Sequence, residues 1–219
     1  ETQFWLDQGA YPRPATRHLA DLTATLVPGP YRLDAYRGRG RVMLTNKTPA
    51  GFFRGAGRTE ATFVRERLVD ALAATLGQDP LDLRLKNLVE PNEMPFDRQL
   101  SLGHRKVVYE AGDYPLLIDK ARRRFSLDLL QRRIADRREQ GELVGVGFAF
   151  FLDESARSTV AGCRVTLDTT GYAEVRTGYA DAGQGIRTTL SQVVADVVGL
   201  PYERIRVRTG VTELTAWQS

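Results

Sequence analysis

The chain has 219 residues, of which 42% are hydrophobic and 26% charged, and it carries a net charge of +4. These proportions suit a globular protein with one or two cored domains. No apolar run approaches the roughly 20 residues that span a bilayer, and residues 1–11 lack the basic and apolar regions of a secretory signal. Two histidines and one cysteine, Cys163, argue against a protein-ligated zinc or iron–sulfur site. The lone cysteine is compatible with a reducing compartment, and a cytoplasmic location is the expectation. The missing initiator methionine suggests a piece of a longer chain.

Residues 1–11 read as a strand running into Gly9. A short helix follows over 15–26, with Leu19, Leu22 and Leu26 on one face, and Pro28-Gly29-Pro30 ends it. Residues 31–46 alternate as strands do, through Tyr31, Leu33, Tyr36, Val42 and Leu44. Arg37-Gly38-Arg39-Gly40-Arg41 lies inside that run. An RGRGR box by itself hints at RNA, but flanking strand formers favour an arginine-rich hairpin turn.

Residues 45–87 organise the chain. Gly51, Gly55 and Gly57 stand between Pro49 and Arg58, where glycine lets the backbone take φ > 0 and come close to a ligand. From Thr59 a helical period takes over. Phe63, Val64, Leu68, Ala71, Leu72 and Leu76 read as its buried face, with Arg65, Glu66, Arg67 and Asp70 elsewhere on the wheel. Gly77 fits its C′ position, and Asp79-Pro80 supplies the N-cap and first residue of the next helix. A glycine loop carrying Arg54 and Arg58 at a helix start suits an anion, because bare N–H groups and guanidinium forks converge there. The alternative is a plain connector with its arginines in water.

Residues 89–104, with Pro91 and Pro95, show no period and read as an ordered connector. Asp113 then caps a long helix with Pro115 in its first turn and an apolar stripe of Leu117, Ala121, Phe125, Leu129 and Ile134. Between Asp119 and Glu139 eight Lys/Arg face four Asp/Glu. A nucleic-acid or acidic-partner surface is one reading. A solvated face is the other, favoured because acids interleave as local ion pairs and no aromatic platform accompanies them.

Gln140-Gly141 ends the helical part. Strands are expected over 144–152, 160–167 and 172–179, with Thr169-Thr170-Gly171 as a turn, and another over 204–209. Gly145-Val146-Gly147 lacks the third glycine and following helix of a dinucleotide fingerprint. Gly183-Gln184-Gly185 is a second glycine loop. It opens a helix from Thr188 whose buried face would hold Leu190, Val193, Val194 and Val197. Free N–H groups, a positive dipole end and the amide of Gln184 would serve a polar ligand, though a tight turn alone explains the motif equally well. The fold class is α+β: helices plus mixed or antiparallel sheets in two subdomains, residues 1–140 and 141–219. The second subdomain is expected as an antiparallel sheet with the last helix packed on it.

The run FFRGAGRTEA, continued by Glu66-Arg67, Asp70, Leu76-Gly77, Asp79-Pro80, Arg84 and Asn87, resembles the molybdopterin-binding large subunit of the xanthine dehydrogenase, aldehyde oxidase and carbon monoxide dehydrogenase family. Asp7, Gly9, Ala10 and Tyr11 match a further family stretch, and Gly145, Gly147 and Glu154 fall close to a glycine-bearing strand. The second loop keeps the family spacing through Thr188, Gln192, Gly199 and Pro201. Gly210-Val211-Thr212 departs from it, with valine where the family has aspartate.

The resemblance implies a molybdopterin-binding domain fragment: residues 1–140 the end of the first such subdomain with a helical segment, residues 141–219 the start of the second. It implies hydroxylation of an aldehyde or aromatic N-heterocycle with oxygen from water. Molybdenum is held on molybdopterin, as the cytosine dinucleotide, and electrons leave through [2Fe–2S] clusters to FAD on partner subunits. It places Phe53, Arg54, Gly55, Ala56, Gly57 and Arg58 beside the molybdenum, and Gly183, Gln184, Gly185 and Thr188 on the pterin or its diphosphate. The two loops should then share one cleft. The implied partners are other segments of the large subunit, an iron–sulfur subunit, an FAD subunit and a small-molecule substrate, with no nucleic acid and no membrane span.

Gly55 stands where carbon monoxide dehydrogenases carry a copper-bearing cysteine, and Ala56 where xanthine-type enzymes carry a stacking phenylalanine, so neither chemistry is implied. The family's catalytic glutamate has no counterpart among these residues. No catalytic residue and no metal ligand is therefore assigned, and the chain alone is expected to be inactive. Two other classes stay open: a non-catalytic scaffold subunit, and a nucleic-acid-binding protein using the basic helix.

Overall fold

The computed structural model describes residues 1–13, 16, 18–102, 105–153 and 162–210. They divide into two compact units, Glu1–Asp153 and Glu154–Ser219. The chain is α+β, as its changing periodicity implied. The helical part does end at Glu139, but residues 144–153 pack within the first unit, beyond the boundary expected at Gln140.

In the first unit, β1 (Thr2–Asp7) pairs in parallel with β2 (Gly38–Met43), Phe4 opposite Gly40 and Trp5 opposite Arg41. The arginine–glycine alternation is therefore a strand, not the expected hairpin turn. Its glycines let α1 (Leu19–Leu26) approach: a Cβ on Gly40 would meet the Phe4 ring at 2.7 Å and Ala20 at 3.1 Å. Leu19 and Leu22 of α1 are buried, as their spacing implied; the expected start of this helix at Ala15 lies outside the described residues.

α2 (Arg58–Leu76) and α3 (Pro80–Asn87) have the expected ends. Gly77 closes α2 at φ 63°, and Asp79 Oδ1 accepts the N–H groups of Leu81 at 2.7 Å and Asp82 at 3.0 Å. The expected burial of α2 is inverted. Its buried residues are Arg58, Ala61, Arg65, Glu66 and Ala73, while Phe63 is 69%, Leu68 58%, Leu72 50% and Leu76 52% exposed. Charges can face inward here because each meets a partner from a distant part of the chain.

The expected connector contains a hairpin, β3 (Phe96–Leu102) and β4 (Arg105–Tyr109), irregular between Asp97 and Ser101, where Gln99 takes φ 54°. That irregularity and the flanking prolines hide its alternation. The expected long helix is two, α4 (Tyr114–Phe125) and α5 (Leu127–Glu139), broken at Ser126 with φ 48°. Asp113 caps α4 as expected, accepting from Leu116 N–H at 2.9 Å. The break moves the buried line to Tyr114, Ile118, Leu127 and Ile134, leaving Leu117, Phe125 and Leu129 largely exposed. These helices build the core with Tyr31, Leu81, Leu88, Val89 and Phe150. Of their arginines, Arg123 pairs with Asp119 within α4 and Arg137 with the nearby Glu142, while Arg122 reaches back to Asp82 of α3 at 2.5 Å.

In the second unit, β5 (Cys163–Leu167) is antiparallel to β6 (Ala173–Thr177), which is parallel to β7 (Ile205–Thr209). The sheet is mixed rather than antiparallel throughout. Asp168 Oδ1 shapes the expected turn by accepting from the N–H groups of Thr170 at 2.8 Å and Tyr172 at 3.1 Å. α6 (Ile186–Val198) packs Val194 and Ala195 on Ala173, Val175 and Ile205. Val193 and Val197, expected on its buried face, are exposed. Residues 160 and 161 of the expected strand, Glu154, and the departure at Val211-Thr212 lie outside the described residues.

Candidate functional site

The first glycine loop hangs from a short chain-to-chain stem. Gly9 N–H donates to Asp7 Oδ1 at 3.0 Å, Thr45 Oγ1 donates to the same oxygen at 2.7 Å, and Lys47 Nζ reaches Asp7 Oδ2 at 2.9 Å. These three contacts, the lysine foremost, hold the Asp7 carboxyl down at about 2. Backbone bonds from Ala10 N–H to Lys47 O and from Ala50 N–H to Gln8 O continue the stem. Gly9 must be glycine: at φ 72° its Cβ would lie 2.4 Å from Thr48 O. Thus the Asp-x-Gly-Ala-Tyr stretch fixes where residues 51–57 begin. Gln8, buried within it and donating to Thr16 O at 2.5 Å, was not singled out by its sequence.

At the loop's far end, Gly57 opens α2 at φ 72°, its Cβ direction blocked by Thr23 N at 2.8 Å and Leu22 Cβ at 2.9 Å. Ala56 packs beside Leu19 and Leu22. Arg58 N–H donates to Gly55 O at 2.9 Å, and no side chain caps the helix. Between these anchors Phe53 is 90% exposed, Arg54 is exposed, and the Cβ direction of Gly55 meets nothing within 4 Å. Arg54 and Arg58 were expected to act together. Instead Arg54 faces solvent, while the Arg58 guanidinium is buried and paired with Asp153. Asp153 gave no sequence signal beyond following a glycine-bearing stretch.

Behind the loop lies a buried charge cluster. The Glu66 carboxylate, 4% exposed, accepts from Arg65 Nε at 2.7 Å, Arg84 Nε at 2.8 Å and Tyr31 Oη at 3.0 Å. Arg84 Nη2 also meets Asp70 Oδ1 at 2.9 Å. The remaining donors clamp the segment expected as a strand over 144–152, which joins no ladder among the described residues. Arg84 Nη2 donates to Phe148 O at 3.0 Å and Arg65 Nη2 to Phe150 O at 2.5 Å. Burial, followed by the Glu66 charge, pushes the Tyr31 phenol well above its ordinary value. The sequence displayed Glu66 and Arg84 as matched residues without revealing that they meet.

The second loop is self-contained. Gly183 and Gly185 take φ 98° and 74°, and Gly185 begins α6 with no side-chain cap. Gln184 folds back: its Nε2 donates to Ala180 O at 2.9 Å, and its Oε1 accepts from Ala182 N–H at 2.6 Å. Gly183 N–H donates to Asp181 Oδ1 at 3.0 Å. Thr188 is exposed on the first turn, and nothing stands within 4 Å of the Cβ directions of Gly183 and Gly185. Each loop thus ends in an uncapped helix start, with open space over Gly55 in the first and over Gly183 and Gly185 in the second. The first lies in the Glu1–Asp153 unit and the second in the Glu154–Ser219 unit.

The chain belongs to the molybdopterin cofactor-binding family. One molybdopterin cofactor-binding domain matches residues 1–88 and a second matches residues 120–219. Across 95% of the chain it is 33% identical to the 6-hydroxypseudooxynicotine dehydrogenase complex subunit gamma of Paenarthrobacter nicotinovorans, of which it covers 26%. It is 33% identical to the nicotine 6-hydroxylase large subunit of the same organism, over its whole length and 28% of that protein. Its fold superposes on quinoline 2-oxidoreductase from Pseudomonas putida 86 with a TM-score of 0.82 at 28% identity, over 98% of this chain and 29% of that one. The chain spans about a quarter of the length of these relatives. Among the described residues no helix is long and apolar enough to cross a membrane.

Proposed function

We propose that this chain supplies part of the molybdopterin site of a molybdenum hydroxylase large subunit that oxidises an aromatic N-heterocycle or an aldehyde. The observation that carries this reading is the pair of family-matched glycine loops, each leading into an uncapped helix, with open space over Gly55, Gly183 and Gly185. Such loops fit a polyanionic, hydrogen-bonding cofactor, because backbone N–H groups and the positive end of a helix dipole favour anionic oxygen. The molybdenum–pterin group, when bound, supplies the redox chemistry.

The chain's residues bind and orient it. Phe53, Arg54, Gly55, Ala56 and Gly57 form the wall nearest the metal, with the Arg54 fork free to meet an anionic oxygen. Arg58 belongs to the set as the residue that fixes the loop, since Asp153 already engages its guanidinium. Gly183, Gln184, Gly185 and Thr188 hold the pterin or its diphosphate, and the Gln184 amide exchanges its loop bonds for the cofactor's edge. The cofactor is the cytosine dinucleotide, and electrons pass to [2Fe–2S] and FAD groups on partner subunits in the cytoplasm. Relatives named for nicotine hydroxylation and quinoline oxidation support a heterocyclic substrate.

Elemental analysis of the natively purified complex tests the reading. About one molybdenum per chain is expected, falling in Gly55→Val and Gly185→Val variants that keep their circular dichroism. A complex without molybdenum would make the chain a scaffold. On its own the chain, lacking the family's general base, should turn over neither aldehydes nor N-heterocycles with an artificial acceptor. Turnover abolished by Glu60→Gln or Asp181→Asn would place the base within it.

A further inference from the structure

Residues 144–153 belong to the first unit and join no strand ladder among the described residues, yet their register is fixed. Three guanidinium groups fix it. Arg84 Nη2 donates to Phe148 O at 3.0 Å, Arg65 Nη2 donates to Phe150 O at 2.5 Å, and Arg58 pairs with Asp153. Arg58 and Arg65 lie seven residues apart on α2, about 10.5 Å along its axis. Phe150 and Asp153 lie three residues apart, about 10 Å in extended chain. The two spacings match, so this segment runs antiparallel to α2. A slip of one residue would carry the Asp153 carboxylate about 3.4 Å from its partner.

The Arg58 contact differs from the other two. It joins two side chains, and it lies where a cation is otherwise disfavoured. Arg58 is the first residue of α2, at the positive end of the helix dipole, and is 6% exposed. A buried guanidinium there needs an anion beside it, and Asp153 supplies one. Arg58 in turn grips the first glycine loop twice. Its N–H donates to Gly55 O at 2.9 Å, and its Nη1 donates to Ala56 O at 3.5 Å. Asp153 therefore acts on the loop through Arg58. It is also the last residue of the first unit, so the same contact fixes where the chain leaves that unit.

We propose that Asp153 is a positioning residue for the first cofactor loop, a latch that holds Arg58 where it fixes Gly55 and Ala56. Naming the loop's ligand as molybdopterin rests on the functional reading above. The latch depends on charge, because its partner is a buried cation. A longer acid at this position should serve, and an amide should not.

Amide exchange and molybdenum content of the natively purified complex test this together. In Asp153→Asn the Arg58 N–H should exchange at least tenfold faster. The Gln78 N–H, bonded to Ala73 O at 2.9 Å at the other end of α2, should stay within twofold. Molybdenum per chain should fall at least threefold while near-ultraviolet circular dichroism is kept. Asp153→Glu should bring both readouts back to within twofold of the wild-type complex. Unchanged exchange at Arg58, or equal acceleration at Arg58 and Gln78, would overturn the proposal, the second by making Asp153 a merely structural acid. Asp153→Glu behaving like Asp153→Asn would overturn it too, as would full molybdenum content beside a loosened Arg58. A wild-type complex without molybdenum would instead sink the functional reading, and exchange at Arg58 would then decide the latch by itself.

Discussion

Glu66→Gln should be among the most damaging single changes in the first unit. Glutamine keeps the volume but removes the charge that three donors share: Arg65 Nε at 2.7 Å, Arg84 Nε at 2.8 Å and Tyr31 Oη at 3.0 Å. Both arginines are buried, at 6% and 1% exposure, so neither guanidinium can turn to water. Removing one partner of a buried ion pair costs about 3–5 kcal/mol, because an uncompensated charge is left behind. A domain is stable by only about 5–15 kcal/mol. With a urea slope of about 2 kcal/mol/M, the midpoint should fall by about 2 M.

Near-ultraviolet circular dichroism is the suitable probe, since the buried Tyr31 and Tyr114 and the half-buried Tyr109 all lie in the first unit. Amide exchange at Phe148 to Phe151 should rise as well, because Arg84 and Arg65 hold that segment's carbonyls. The double variant Glu66→Gln/Arg84→Met should lose less than the two single variants combined, as expected for groups in one network. A midpoint shift below about 0.5 M would refute the argument, whose magnitude depends on the pair being dry.

Gly57→Ala combines left-handed strain with a Cβ placed 2.8 Å from Thr23 N, and should cost about 2–4 kcal/mol in thermal unfolding; Gly77→Ala, with open space around it, should cost about 1–2 kcal/mol. Burial raises the phenols of Tyr31, Tyr36, Tyr109 and Tyr114, so their contribution is complete below the ordinary value near pH 10 and is lost as pH rises beyond it; alkaline titration of the unfolding midpoint should show this fall. Asp7 works in the opposite sense: held at about 2 by Lys47, Gly9 and Thr45, it stabilises the loop stem above its ordinary value of 3.8 and loses that effect as pH falls to 2. Amide exchange across residues 45–50 should accelerate over that window, and Asp7→Asn should remove the pH dependence.

Much of the chain's punctuation was legible because it is local chemistry. Gly77 closing α2, Asp79 and Asp113 capping the helices that follow, and the Thr169–Gly171 turn each depend on a few adjacent residues. The two glycine loops were legible for the same reason, together with their order along the chain. Their exact roles were less so. Arg54 and Arg58 look alike in sequence, and only Asp153, far along the chain, separates an exposed fork from a buried anchor.

The sequence by itself determined several helix ends and turns, because capping and turn geometry are settled within one or two turns of chain. Only the tertiary structure decided which face of α2 is buried. Its periodicity presents an apolar stripe, yet Arg65 and Glu66 go inward because Arg84, Tyr31 and the carbonyl of residue 150 satisfy them there. The same holds for the glycines of β2, which read as a turn until α1 is seen against them. A buried charge is tolerable only beside its partner, and partners distant in sequence are brought together only by the fold.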